Sequence, residues 1–199
     1  MKLTPSDIAE IYFITDLVNM PSILKHGILS HNLVAKKKIQ HSSIANVDVQ
    51  GRRINKVIPG GKKLHDYANL YINARNPMLY VLLPKQRELC VIRISADVLR
   101  SAGVIVSDKN AARDWARFEP WPDGLNRIGK EDIFRERWDV SDPFEKDHLK
   151  GVMCAEILVP YKVDSRYILG AYVSCQEAFD RLAELCPGFA VTINRRLFF

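Results

Sequence analysis

Leu89 to Ser95 reads Leu-Cys-Val-Ile-Arg-Ile-Ser, and this run of β-branched and apolar residues constrains the fold more than any other stretch. Its length suits a strand, and branched side chains pack best on a pleated surface. Comparable runs recur at Ile8 to Ile14, in the dense aromatic and apolar segment Leu64 to Leu83, and at Val104–Val106, 151–160, Tyr167–Val173 and Phe189–Ile193. Helical signals lie between them. Asn19-Met20-Pro21-Ser22 opens a helix with Pro21 at its first position, and Gly27 stops it after Lys25-His26. A brief helix is expected at Ala96–Ser101, and a turn at Asn76-Pro77 leads into a helix or a second strand. A longer helix crosses Cys175–Leu185, with Phe179, Leu182 and Leu185 or Cys186 on one face, and Pro187-Gly188 ends it. The pattern predicts an α+β protein with a central sheet.

Two segments lack clear periodicity. Ser30 to Leu64 is polar and basic, with Lys36-Lys37-Lys38, Arg52-Arg53, Lys56 and Lys62-Lys63, and it reads as a functional loop that orders on a ligand. Its Pro59-Gly60-Gly61-Lys62 lacks the spacing of a phosphate loop. Residues 107–150 carry Trp115, Trp121 and Trp138, which either anchor the segment by packing or offer faces to nucleobases. No repeat, low-complexity run or linker divides the chain. Its 199 residues, 47% hydrophobic, are therefore read as a single domain, 1–199.

The same composition narrows the partners. No apolar run reaches about 18 residues and the N-terminus turns polar at once, so a cytoplasmic protein with no membrane partner is expected. Cys90, Cys154, Cys175 and Cys186 are widely spaced, read as reduced and buried, and form no metal-ligand pattern; no metal is expected. A net charge of +6 favours a polyanionic partner, either nucleic acid or a phosphate-rich cofactor.

Within 151–160 a single carboxylate, Glu156, interrupts the apolar run. Strand alternation places Val152, Cys154 and Glu156 on one face and Met153, Ala155 and Ile157 on the other. A carboxylate among apolar neighbours is either salt-bridged to an arginine or kept for chemistry. The stretch alone leaves both open.

Other residues form an ordered set around this acid: Arg53, then Leu64-His65-Asp66-Tyr67-Ala68-Asn69-Leu70-Tyr71 with Pro77-Met78-Leu79 behind it, then Asp108 to Trp115, then Ala155-Glu156. In that order and spacing the chain resembles the DarT family of DNA ADP-ribosyltransferase toxins over nearly its whole length. The resemblance implies an ADP-ribosyltransferase-like split mixed β-sheet core with surrounding helices. It also implies NAD as co-substrate, with ADP-ribose transferred to a base of single-stranded DNA and nicotinamide released. A macrodomain antitoxin, DarG-like, is the implied protein partner. Glu156 matches the family's catalytic glutamate and Arg53 its essential arginine, with Arg52 the alternative if the register slips by one. Phe13, Ile14 and Thr15, and the Asn19 to Asn32 stretch with Asn19 and Gly27, correspond to segments that hold NAD. The chain departs from the family at Asp16, where a histidine is usual, and at Phe13, often basic or histidine. Backbone groups of Ile14 or Thr15 are then left to contact the nicotinamide side.

Chemistry supports these roles. Breaking the nicotinamide–ribose bond develops positive charge on the sugar, which a fixed carboxylate at Glu156 favours most in the transition state. The planar fork of Arg53 suits pyrophosphate oxygens or the acceptor base. Tyr71 is positioned to close over nicotinamide, whereas Tyr67 and Tyr80 are expected in the core. His65 and Asp66, adjacent in sequence, should point apart. For the DNA, Arg75, Arg113, Arg117 and Lys36–Lys38, with Lys37 among them, are candidate phosphate contacts, with Met78 beside the acceptor and Trp115 for stacking. Two other readings fit the residues: a non-enzymatic module binding single-stranded nucleic acid, and a metal-independent nuclease using Glu156, Arg53 and His65.

Overall fold

In the computed structural model, which describes all 199 residues, ten strands form two sheets. In chain order they are β1 (Glu10–Asp16), β2 (Ile28–Leu29), β3 (Tyr67–Tyr71), β4 (Leu89–Ser95), β5 (Ile105–Ser107), β6 (Phe118–Pro120), β7 (Glu156–Pro160), β8 (Lys162–Val163), β9 (Ile168–Val173) and β10 (Val191–Ile193). β2 and β8 pair by themselves, and the other eight form one sheet in the order β10-β9-β4-β1-β3-β7-β5-β6. The sheet is mixed, because β9 and β10 run parallel while its other neighbours are antiparallel. As its composition requires, β4 is central. Leu89, Cys90, Val91 and Ile92 are buried on both faces, and β4 pairs with β1 along its whole length, from Glu10 opposite Ser95 to Asp16 opposite Leu89.

The split in this core lies between β1 and β3. Those strands meet at one register pair, Tyr12 opposite Tyr71, whereas β3 pairs with β7 through five. Residues of both strands at this seam, Phe13 to Thr15 of β1 and Asn69 and Tyr71 of β3, line a cavity. Opposite faces of the two halves are covered by an apolar core in which Leu70, Ile92, Ile157 and Leu182 are fully buried.

Seven α-helices surround the sheet: α1 (Met20–His26), α2 (His31–Lys37), α3 (Val47–Ile54), α4 (Pro77–Val81), α5 (Lys130–Ile133), α6 (Pro143–Val152) and α7 (Gln176–Leu185). None is long and apolar enough to cross a membrane. Gly27 ends α1 as expected, with its N–H bonded to the Ile23 carbonyl at 2.8 Å and φ at +81°. A Cβ there would lie 2.2 Å from the Val163 carbonyl oxygen, so glycine is required twice over, by conformation and by space.

Three expectations are corrected. Ser30 to Leu64 is not structureless: it contains α2, capped by Ser30, and α3, whose cap Asn46 accepts the Asp48 and Val49 N–H groups at 2.9 and 3.2 Å. Both helices are short and mostly polar, so they show little apolar periodicity. The run 151–160 is not one strand either. Asp142 caps α6, accepting the Phe144 N–H at 2.9 Å, and α6 extends through Val152 before a tight turn bonds the Ala155 N–H to the Val152 carbonyl at 2.8 Å. Glu156 is thus the first residue of its strand, and Val152 and Cys154 do not share a strand face with it. Tyr80, expected in the core, is 50% exposed, because its ring lies edge-on against Trp138 and Phe199 instead of entering the core. The cysteines are all free, with Cys175 half-buried and the other three buried.

Candidate active site

Glu156 is wholly buried, and three hydrogen bonds fix its carboxylate. Oε1 accepts from Arg53 Nη1 at 3.0 Å and from the Ala111 backbone N–H at 2.9 Å, while Oε2 accepts from Arg53 Nη2 at 2.9 Å. Its start-of-strand position produces this setting. On one side Glu156 lies opposite Tyr71 of β3, and on the other it lies opposite Ser107 of β5. The connection that follows β5 then turns back over it. That loop is closed by Asp108, which bonds Arg117 through both backbone and side chain at 3.1 and 2.9 Å, and by Asn110, whose N–H reaches the Gly151 carbonyl at 3.0 Å. Lys56 donates to the Arg113 carbonyl and ties the same loop to the end of α3.

Arg53 comes from α3, whose capped start at Asn46 sets the direction of its last turn. The side chain is 7% exposed. Burial works against its charge, but the Glu156 carboxylate and its hydrogen bonds outweigh that and raise the guanidinium's affinity for its proton. The two charges compensate each other inside the protein, where either alone would be costly.

Above this pair, at the seam between β1 and β3, opens a cavity of about 660 Å³, a size suited to a cofactor. β1 contributes Phe13, Ile14 and Thr15 to its wall. α1 and its cap add Asn19, Ile23 and Gly27; β3 adds Asn69 and Tyr71; α4 adds Met78, Tyr80 and Val81. Its electrostatics are one-sided. Arg53, Arg113 and Lys150 line it, the histidines His26, His31, His41 and His65 add ring nitrogens, and no aspartate or glutamate is among the lining residues. Such a lining suits a ligand with phosphate groups, and Tyr71, whose burial pushes its hydroxyl well above the usual tyrosine range, stays neutral there.

The segment leading from α2 to α3 is clipped to β1 and α1 at one point. Asn19 Nδ2 donates to Thr15 Oγ1 at 3.0 Å and to the Ser42 carbonyl at 2.8 Å, and the Ser42 N–H returns a bond to Asn19 Oδ1 at 2.8 Å. Asp16 joins this clip by accepting from the Ser42 hydroxyl at 2.8 Å. In this chain Asp16 therefore positions a wall of the cavity.

Among the expected site residues, Phe13, Ile14, Thr15, Asn19, Gly27, Arg53, Tyr71, Met78 and Arg113 come together on the cavity wall. Glu156 lies one layer behind, screened by Arg53. Arg75, Trp115 and Lys37 lie outside the cavity. Arg75 stacks on Phe199, with Cζ 3.9 Å from the ring centroid, and donates to the Arg196 carbonyl. Trp115 is 86% exposed, and Lys37 sits in the exposed last turn of α2. His65 and Asp66 do not bond each other, as expected, but they lie on a 3-10 turn, Leu64–Asp66, and not on a strand: Asp66 accepts from Asn32 Nδ2 at 2.7 Å, while His65 Nε2 pairs with Gln50 Oε1 at 3.1 Å.

Several contributors were not legible in the sequence. The Ala111 N–H on Glu156 is a backbone group with no residue-type signal. His31 stacks on His65 with ring centroids 4.4 Å apart, and Tyr80 and Trp138 meet edge to face at 5.3 Å by the cavity. The Asn46 cap was a usable signal, because Asn-Val-Asp opens the helix that delivers Arg53.

Comparison with known proteins bears on this site. The family model described as "ssDNA thymidine ADP-ribosyltransferase, DarT" matches residues 12–197. A DNA ADP-ribosyl transferase–DNA ADP-ribosyl glycohydrolase fusion protein of Thermosipho africanus is 33% identical over 179 residues, covering 87% of this chain and 44% of the fusion protein. This chain thus spans less than half of that relative. A DNA ADP-ribosyl transferase of Thermus sp. 2.9 is 32% identical over 171 residues, 80% of this chain and 78% of that protein. The solved structure of Thermus sp. 2.9 DarT in complex with ADP-ribosylated ssDNA superimposes with a TM-score of 0.84 at 26% identity, covering 100% of both chains.

Proposed function

The chain belongs to the DarT family of single-stranded DNA thymidine ADP-ribosyltransferases, and on that premise we propose that it transfers ADP-ribose from NAD to thymine bases of single-stranded DNA. The observation that carries this reading is the buried Arg53–Glu156 pair beneath a cavity lined by cations and free of carboxylates. The fit to NAD rests on that lining, on the cavity's volume, and on Tyr71 and Phe13 as flat surfaces for its rings. When bound there, NAD supplies an activated ADP-ribosyl group, with nicotinamide leaving as the glycosidic bond breaks.

The protein's own residues then have separable tasks. Arg53 reaches the cavity and Glu156 does not, so ligand phosphate offers the Arg53 fork a second anionic partner. As Arg53 turns toward it, the Glu156 carboxylate is uncovered at the ribose while the Ala111 N–H keeps one of its oxygens in place. A carboxylate so held favours positive charge developing on the sugar more than it favours the ground state. Attack by a thymine ring nitrogen forms the new bond to the ribose carbon and releases the nitrogen's proton, for which Glu156 is the nearest anionic acceptor once Arg53 has turned aside. The Asn19–Ser42 clip positions the wall against which the ligand lies. A single-stranded acceptor avoids the cost of extracting a base from a duplex.

We read residues 1–199 as one transferase domain, acting as a toxin whose mark a macrodomain glycohydrolase partner removes. The fused glycohydrolase of the Thermosipho relative supports that pairing. To test the reading, the purified protein is incubated with labelled NAD and four oligonucleotides, each lacking one base. Label should appear on every oligonucleotide except the one without thymine. Equal labelling of that one, or of none, contradicts the proposal.

A further inference from the structure

The helix that delivers Arg53 has no apolar anchor. Arg53 is the only buried residue of α3, and the others are exposed or half-buried. A helix this short is not stable by itself, and no hydrophobic stripe presses it onto the sheet, so side-chain hydrogen bonds must hold it in place. Its own residues make them at two points. Arg53 forks onto Glu156, and Gln50, one turn earlier on the same face, pairs through Oε1 with His65 Nε2 at 3.1 Å. In the reaction proposed above, Arg53 leaves Glu156 for ligand phosphate. The Gln50–His65 bond is then the one side-chain tether between α3 and the body of the protein.

His65 is placed to act as a fixed post. It is buried on the turn Leu64–Asp66 that leads into β3. Bonds from two sides lock that turn: the Asp66 carbonyl accepts the Tyr161 N–H at 2.7 Å, and its carboxylate accepts from Asn32 Nδ2 at 2.7 Å. His31 of α2 stacks on the His65 ring, with centroids 4.4 Å apart, and limits its rotation. Nδ1 of that ring is the one buried side-chain nitrogen or oxygen in the molecule with no hydrogen-bond partner. A hydrogen on Nδ1 would be a buried donor with nothing to bond, so the hydrogen sits on Nε2, which donates to Gln50. A buried polar atom left unpaired is destabilising, which makes a role in function the better account of a histidine here than packing alone.

We propose that His65 is a positioning residue for the transfer reaction: through Gln50 it keeps α3 docked while Arg53 exchanges Glu156 for the ligand, so that the guanidinium moves and its helix does not. The proposal rests on the reading in which Arg53 turns from Glu156 to phosphate. Two tethers hold α3 in the free protein and one holds it in the complex. The Gln50–His65 bond therefore matters more to the bound state than to the free state, and losing it weakens NAD binding.

The test uses the full chain with four variants. His65→Leu removes the donor, Gln50→Leu removes its acceptor, the double variant removes both, and His65→Gln puts an amide nitrogen where Nε2 stood. Calorimetry with NAD and no DNA gives affinity, and steady-state transfer to a thymine-containing strand gives KM for NAD and kcat. Each leucine variant should weaken NAD binding by about tenfold with kcat changed by no more than about threefold, and the double variant should be no weaker than either single. His65→Gln should restore most of the affinity. Wild-type affinity in either leucine variant would overturn the proposal, as would a His65→Gln variant as weak as His65→Leu, which would make the ring a packing element.

A second measurement needs no ligand. Glu156→Gln weakens the Arg53 anchor in the free protein, and amide hydrogen exchange over residues 51–54 then reads what His65 holds. These amides should exchange at least about tenfold faster in Glu156→Gln with His65→Leu than in Glu156→Gln alone, and His65→Leu by itself should have a smaller effect. Equal exchange with and without His65 in the Glu156→Gln protein would overturn the proposal. If the wild type binds no NAD, the transfer reading fails, and the exchange result by itself decides whether His65 tethers α3.

Discussion

Arg53 and Glu156 are 103 residues apart in the chain and meet fork to fork, Nη1 at 3.0 Å from Oε1 and Nη2 at 2.9 Å from Oε2. The pair joins α3 to the start of β7 and is the most deeply buried ion pair in the molecule, with side-chain exposures of 7% and 0%. Two such charges have a stabilising partnership only as long as both remain.

Glu156→Gln keeps the shape and removes the charge, leaving the Arg53 cation buried without its anion. It should lower stability by about 3 kcal/mol and transferase activity by about a thousandfold. Replacing both members, as Arg53→Met with Glu156→Leu, should restore stability relative to Arg53→Met alone and Glu156→Leu alone and leave activity absent. Urea denaturation of the four proteins measures the stability cycle. A double variant less stable than both singles would show that the pair is not held together by mutual charge compensation.

Gly27→Ala tests the wall between α1 and β8. The alanine must adopt φ near +81° with its Cβ 2.2 Å from the Val163 carbonyl oxygen. A loss of at least about 2 kcal/mol is expected in thermal or chemical unfolding. A change of a few tenths would mean that the β2–β8 ribbon gives way easily.

Asn19→Ala removes three hydrogen bonds that clip Ser42 and Thr15 together at the cavity wall. Since the clip positions the wall and touches no reacting atom, KM for NAD should rise about tenfold with kcat changed much less. Steady-state nicotinamide release over a range of NAD concentrations separates the two parameters. A fall in kcat at constant KM would place Asn19 in the chemistry instead.

His65 gives the fold a pH dependence with a definite sign. Burial, then the neighbouring His31 ring and the Arg53 cation, lower its pKa from 6.5 to about 4, and its Nδ1 is buried without a hydrogen-bond partner. Below about pH 6.5 the unfolded chain takes up a proton at this residue that the folded protein refuses. Stability should therefore be flat above that pH on account of His65 and fall between pH 6.5 and 4, by on the order of 2 kcal/mol. Unfolding free energies over this range, compared with His65→Leu, isolate the contribution. The leucine variant should lose that part of the slope, and an unchanged slope would assign it to other groups.

The strands of the sheet were legible because β-branched runs of strand length have few other fates, and α1 because proline and glycine mark its ends. α2, α3 and α6 were not. α3 carries Gly51 and two arginines, and its only buried side chain is Arg53, so no apolar stripe announces it. At 151–160 the apolar composition of Val152, Met153 and Cys154 imitated a strand, whereas the Asp142-Pro143 start, ten residues before Val152, was the helix signal that mattered. Glu156 and Arg53 were readable as a pair of functional candidates from their place in an ordered set of residues. Their mutual bond was not, since nothing local to either residue specifies a contact made through the whole sheet. Tyr80 failed for a similar reason: its ring meets Trp138 and Phe199, which come from distant parts of the chain, and nothing local to the short α4 specifies those contacts.

In the proposed reaction Glu156, uncovered by movement of Arg53, supports ADP-ribosyl transfer to thymine. Mass spectrometry of a thymine-containing single strand after incubation with NAD tests it most directly, for the wild type and Glu156→Gln at equal protein concentration and verified fold. The wild type should yield one ADP-ribose adduct, which fragmentation assigns to a thymine, and Glu156→Gln should yield none in the same time. A folded Glu156→Gln variant that forms the adduct at the wild-type rate would remove Glu156 from the chemistry, and a wild type that releases nicotinamide and leaves the strand unmodified would remove single-stranded DNA as the acceptor.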